Sequence, residues 1–199
     1  MEAHVELEIL TYWQAGSAYG GGLGADTLAH RDATGLPFLP GRTVKGLLRE
    51  SCELGEAAGM IPSGKAVEWF GSPPVANAGR KDDREHELEA ARFVTEPGVL
   101  VFDSARMSEP WTRWASQASS SDRENLFAVL SSTRIEDGLA KDASLRSDEV
   151  AVPMTLTARI HGPDGEWPRQ LDECARMFLR SLGRRRNRGF GRVSVRVVG

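Results

Sequence analysis

The C-terminal fifth of the chain constrains the fold more than any other stretch. From Trp167 to Leu182 the residues Leu171, Cys174, Ala175, Phe178 and Leu182 recur at helical spacing and make one apolar stripe. Gly183 reads as the helix stop. Val193, Val195 and Val197 then alternate with Ser194, Arg196 and Val198, the pattern of a strand with one buried face. Between helix and strand runs Gly183-Arg184-Arg185-Arg186-Asn187-Arg188-Gly189-Phe190-Gly191-Arg192-Val193, with five arginines, three glycines and one aromatic in eleven positions. Arginine forks match phosphate oxygens, and glycine lets backbone N–H groups close around an anion.

The charge is unevenly spread. The 199 residues carry a net −3, yet residues 181–199 hold six arginines and no acid. The rest of the chain, with nineteen bases and twenty-eight acids, is net −9. A basic patch on an acidic body suits local phosphate binding rather than general adhesion to polyanions. Cys52 and Cys174 are the only cysteines, too few for a disulfide framework or zinc spacing. A reducing cytoplasm is the expected setting. No signal peptide is read at the N-terminus, and no stretch has membrane-spanning length.

Taken in order, Val5 to Trp13 reads as a half-buried strand, followed by a glycine-rich loop through Gly24. A helix is expected to start near Gly41–Thr43, with Val44, Leu47, Leu48 and Cys52 on one face and Arg42, Lys45 and Arg49 on another. Its basic first turns suit either a phosphate at the helix N-terminus or an ordinary solvated face. Strands are expected around Gly98–Met107 and Val150–Ile160, with weak helix over Asp122–Leu130 and a hairpin or arm over Thr133–Glu149. The order strand, helix, strand, strand, helix, strand is the ferredoxin-like βαββαβ plan of α+β proteins, shared with RNA-recognition modules. The whole chain, 1–199, reads as one domain with insertions at about 60–97 and 108–149.

Four segments resemble the RAMP superfamily of CRISPR-associated proteins, and most of all the repeated backbone subunit of type III CRISPR effector complexes. They are Gly20-Gly21-Gly22-Leu23-Gly24-Ala25-Asp26 with Arg31-Asp32; Thr34 to Arg49, with its proline-glycine and lysine-glycine pairs; Trp69-Phe70-Gly71; and the loop Gly183–Val193. Arg184-Arg185-Arg186-Asn187 is more basic than the usual glycine and serine stretch of that loop. The resemblance implies a CRISPR RNA-binding subunit that assembles with other copies of itself and other effector subunits. It also implies a β-hairpin thumb, here Thr133–Glu149, that interrupts the guide–target duplex.

The resemblance further implies an endoribonuclease. Asp26 matches the family's aspartate that cleaves target RNA at regular intervals, through attack of the 2′-hydroxyl and with Mg2+ or another divalent metal. By this reading Asp26 is both catalytic residue and metal ligand. Arg42, Lys45, Arg49, Arg134, Arg184, Arg185, Arg186, Arg188 and Arg192 are the expected RNA contacts. Lys141 and Arg146 of the thumb touch RNA or are solvated. Phe190 stacks on a base or belongs to the core. Taken alone, Asp26 and Asp32 also suit turn residues. The alternative is a structural RNA-binding subunit of the same complex that does not cut. A guide-processing nuclease would want a histidine base, and His4, His30, His86 and His161 form no cluster in sequence. A ferredoxin-like domain without RNA would leave the arginine loop unexplained.

Overall fold

The computed structural model describes residues 1–15, 25–72, 96–137, 139–141 and 144–199. The glycine run 16–24 and the charged run 80–89 lie outside them. Strand β1 (Glu2–Ile9) alternates strictly, with Ala3, Val5, Leu7 and Ile9 buried and the residues between them exposed. Helix α1 (Gly41–Ala57) follows, then the short α2 (Lys65–Phe70). β2 (Val101–Phe102) leads to α3 (Glu109–Gln117) and α4 (Ser120–Glu124), the latter closed by a Ser119–Asp122 capping box. β3 (Phe127–Ser132), β4 (Ile135–Glu136), β5 (Leu139–Ala140) and β6 (Arg146–Ala151) form a hairpin ribbon. β7 (Met154–His161), α5 (Trp167–Phe178) and β8 (Val193–Val198) complete the chain.

The main sheet has the order β2-β7-β1-β8, antiparallel throughout. Each helical crossover therefore skips one strand: β1 to β2 passes β7, and β7 to β8 passes β1. That is the ferredoxin-like α+β topology expected from the sequence. Leu7 sits opposite Leu156 on one side and Val195 on the other. Together with Leu48 and Cys52 of α1 and Leu171 and Cys174 of α5, they belong to one continuous core. Each large side chain so buried contributes about 1.5–3 kcal/mol. Burial pushes the Cys52 and Cys174 thiols up, in Cys52 with a further push from Cys174, so both are held protonated. Strand β8 lies at the sheet edge, where α5 and the residues after it cover it. The Val193 N–H donates to the Arg180 carbonyl (3.1 Å), and the Val197 N–H to Asp172 Oδ1 (2.7 Å).

The elements depart from the sequence reading in five places, the first being β1, read as reaching Trp13 but ending at Ile9, with Trp13 only bridging Ala151. Helix α5 ends at Phe178, not at Gly183: Leu179 is extended, and Ser181 bridges to Arg192, so Leu179 and Leu182 reach the core from a strand-like segment. The strand read over Val150–Ile160 is two strands, because Val152-Pro153 interrupts it and proline cannot donate to a ladder. Asp122–Leu130 is helical only to Glu124; Phe127 onward pairs with β6, extending the hairpin ribbon towards the body. Of Gly98–Met107 only Val101–Phe102 is strand, with single bridges at Ala105 and Arg106. Among the described residues no helix is long and apolar enough to cross a membrane.

Candidate nucleic-acid interface

Residues 25–29 run beside β6, with Thr27 bridging Asp148 in parallel fashion. The Asp26 N–H donates to the Ser147 carbonyl and the Ser147 N–H to Asp26 Oδ2, both at 2.7 Å. The Glu149 N–H donates to the Thr27 carbonyl (2.9 Å). Asp26 itself is exposed. Its carboxylate is thus pinned from one oxygen beside the Ser131–Ser147 rung of the ribbon, while the residue remains open to solvent. Farther along, Glu149 accepts from the Ala29 N–H (3.0 Å) and from Arg31 (2.8 Å). Arg31 also forks onto Glu124 and stacks its guanidinium over Phe127, 3.7 Å from the ring centre.

The arginine loop is folded against the same ribbon. Gly183 and Gly191 have positive φ, and a Cβ at either would run into the Gln14 or Leu182 carbonyl. These glycines serve the chain's own close packing. The loop N–H groups of Arg184, Arg188, Gly191 and Arg192 donate to Gln14, Arg185, Tyr12 and the Thr11 hydroxyl. The expected cradle of N–H groups around an anion is therefore not presented by these four. The guanidinium groups are what the loop offers.

Those groups divide by position. Arg185 Nη2 donates to Ser132 Oγ (3.2 Å) and forms an ion pair with the buried Asp148. Asp148 Oδ2 meets Arg185 as a charge, without hydrogen-bond geometry. Arg185 and Arg188 share a cleft of about 480 Å³ with Arg134, Lys141 and Arg146 of the ribbon and the hydroxyls of Ser132, Thr133 and Ser144. Lys141 and Arg134 pair in part with Glu136. Arg184 is exposed, and Arg186 reaches Glu50 of α1 (3.2 Å). Arg192 lies elsewhere, in a second cleft with Arg176 and Arg180. Phe190 is half-buried.

On α1, Arg42 is exposed and Lys45 half-buried. Arg49 is engaged inside the protein, donating to Glu53 and to the carbonyls of Gly71 and Ser72. The helix start is closed by a protein group: the Gly41 N–H donates to Ser104 Oγ (3.1 Å), and the Phe102 carbonyl fills the space where a Gly41 Cβ would stand. Asp32 caps the Thr34 and Leu36 N–H groups and pairs with Arg106, which makes it a turn former. His30 packs on Phe38, His4 and His161 flank Glu2 on the sheet, and His86 lies outside the described residues.

Among the described residues no group of three or more metal-ligating side chains comes together. Asp148 and Glu149 are turned to Thr27, Arg185, Arg31 and Ala29, leaving Asp26 as a single carboxylate. That is not the donor set of a resident divalent ion.

The model of the RAMP superfamily matches residues 6–194. The chain belongs to the RAMP superfamily. Solved structures share the RAMP fold seen here at low identity. A chain of the type III-B Cmr-beta structure bound to cognate target RNA is 12% identical with a TM-score of 0.62, covering 99% of this chain and 97% of that one. A chain of the apo type III-B Cmr-beta structure gives 12% and 0.64, covering 100% and 97%. A chain of a type IV-B CRISPR complex gives 14% and 0.58, covering 100% and 91%. No curated protein matches the chain by sequence.

Three residues of this RAMP site were missed in the sequence: Gln14, Thr27 and Asp148. Gln14 Nε2 donates to Thr27 Oγ1 (2.8 Å), which donates to Asp148 Oδ1 (2.6 Å). The available signal was the pair Asp148-Glu149 at the head of an apolar run, a place where acids need partners.

Proposed function

We propose that the chain is an RNA-binding backbone subunit of a type III-like CRISPR effector complex, and that Asp26 takes part in cutting guide-matched target RNA. One observation carries this reading. The exposed Asp26 carboxylate is held on the Ser147 N–H, one residue along β6 from Arg146, which walls a cleft with four other cations. Membership of the RAMP superfamily supports it, as does likeness to a chain solved with cognate target RNA. The partners are CRISPR RNA, target RNA, further copies of the chain and other effector subunits, in the cytoplasm.

Four cations of the cleft, Arg134, Lys141, Arg146 and Arg188, are placed to grip phosphates without reading bases, which suits a protein whose sequence choice is delegated to a guide. RNA carries its own nucleophile. Held in line, the 2′-oxygen attacks the adjacent phosphorus as the bond to the 5′-oxygen breaks, leaving a cyclic phosphate and a 5′-hydroxyl strand. Asp26 accepts the 2′ proton, and solvent water supplies a proton to the departing 5′-oxygen. Orientation of this kind removes up to about 7–11 kcal/mol of a barrier.

The test is an Asp26→Ala protein assembled with guide and matched target RNA in Mg2+. Target binding is expected to persist while cutting falls at least about a hundredfold. By this reading a divalent ion would be held only transiently, between Asp26 and the RNA phosphates, so EDTA is expected to slow cutting by the unaltered protein and leave binding intact. The non-cutting structural subunit is the second reading, favoured by the single-carboxylate donor set at Asp26. Persistent cutting by the alanine protein would remove Asp26 from the chemistry. No cutting by the unaltered complex would establish the structural reading.

A further inference from the structure

Arg185 differs from the arginines around it. Arg184, Arg186 and Arg188 are exposed, whereas the Arg185 side chain is 26% exposed and its partner Asp148 8%. Arg185 also has φ +57°, a left-handed conformation that non-glycine residues avoid. Such a conformation persists only where its surroundings over-determine it. Here they do: the guanidinium is bound by Asp148 and Ser132, and the next N–H on the N-terminal side, that of Arg184, is bound by the Gln14 carbonyl (3.0 Å).

Asp148 also accepts from Thr27 Oγ1, and Thr27 accepts from Gln14. The chain of contacts is closed: loop to Arg185, to Asp148, to Thr27, to Gln14, and back to the loop at Arg184. Thr27 follows Asp26, and Asp148 follows the Ser147 whose N–H holds the Asp26 carboxylate. The ring therefore fixes both strands between which that carboxylate is suspended. Gln14 and Asp148 are two of the four buried polar or charged residues among those described. Asp148 is tied by a hydrogen bond at Oδ1 and by the Arg185 charge at Oδ2, and Gln14 by its side-chain amide and its backbone carbonyl, so each is held from two sides.

We propose that Arg185 is not an RNA contact but, with Asp148, Thr27 and Gln14, one of a set of positioning residues that hold Asp26 against β6 at Ser147. The role in cutting rests on the function proposed above; the mechanical role does not. A substitution that loosens the ring shifts the Asp26 carboxylate without removing a cation from the open part of the cleft. Misplacement by about 1 Å can cost a hundredfold in rate.

The experiment uses the full chain assembled with guide RNA. It compares Arg185→Ala, Thr27→Val, and the neutral pair Arg185→Gln with Asp148→Asn, which keeps side-chain volume should the single change fail to fold. Three quantities are measured: single-turnover cutting at saturating target, RNA affinity with its salt slope, and amide exchange over residues 25–29 and 146–149. Cutting is expected to fall ten- to a hundredfold, affinity and salt slope to stay within twofold, and exchange to rise in both segments. Thr27→Ser, which keeps the hydroxyl, is expected to restore cutting. Weakened affinity with a shallower salt slope and unchanged exchange would overturn the proposal and make Arg185 an RNA ligand. If the unaltered complex does not cut, the function fails, yet exchange and affinity still decide whether the ring holds the strand.

Discussion

The open face of the main sheet and the end of the molecule where loop meets ribbon are built on opposite principles. The face presents Glu2, His4, Glu6 and Glu8 from β1, Thr155, Thr157 and Arg159 from β7, and Ser194, Arg196 and Val198 from β8. No phenylalanine, tyrosine or tryptophan stands at those strand positions, so the strands lack the row of stacking rings that RNA-recognition modules of the same topology use. The other end gathers five cations and three hydroxyls in one cleft. A shared β-sheet plan thus says little about where a ligand goes. In this chain the basic cleft lies outside the main sheet, on segments inserted between its elements.

That contrast can be broken in several ways, of which Asp26→Ala has the largest expected effect: cutting down at least about a hundredfold with the sheet face untouched. Next is Gly191→Ala. It forces a side chain against the Leu182 carbonyl at positive φ and is expected to cost about 2 kcal/mol or more, read as a lower midpoint in denaturant. Changing Arg184, Arg186 and Arg188 together to alanine is expected to weaken RNA binding about tenfold or more and to flatten the salt slope by about 2 units. Replacing Glu124 by Gln sharpens the structural side. Its hydrogen bond from Arg31 holds the Glu124 carboxyl below its ordinary range, so its contribution is complete above that range and disappears as pH falls through the lowered folded value. The variant should melt lower at neutral pH, by about 0.2–1 kcal/mol, and match the parent in acid. Smallest of all, Glu6→Gln with Glu8→Gln should move RNA affinity by less than about twofold. A larger change would place RNA on the sheet.

The core was readable in the chain because periodicity is a local signal. Val5, Leu7 and Ile9, the α1 stripe and the β8 valines each declare their buried face within a few residues. Boundaries were less readable where long-range packing decides them. Leu182 keeps helical spacing, yet the Ser181–Arg192 bridge pulls it out of the helix. The site was half readable. Asp26 and the arginine run stand out by type and neighbourhood, and the fold brings them to adjacent residues of one strand. What a linear reading cannot supply is which cations are already spent. Arg49 on two carbonyls and Arg185 on a buried acid look identical in sequence to Arg42 and Arg188. Only contacts across 22 to 37 residues tell them apart.

The covered edge at β8 bears on how neighbours of this molecule are chosen. With Arg180 and Asp172 occupying the outward amides at Val193 and Val197, and with the opposite margin only two residues long, neither side of the sheet offers a template for another strand. Two such molecules are therefore not expected to join by fusing their main sheets at these edges.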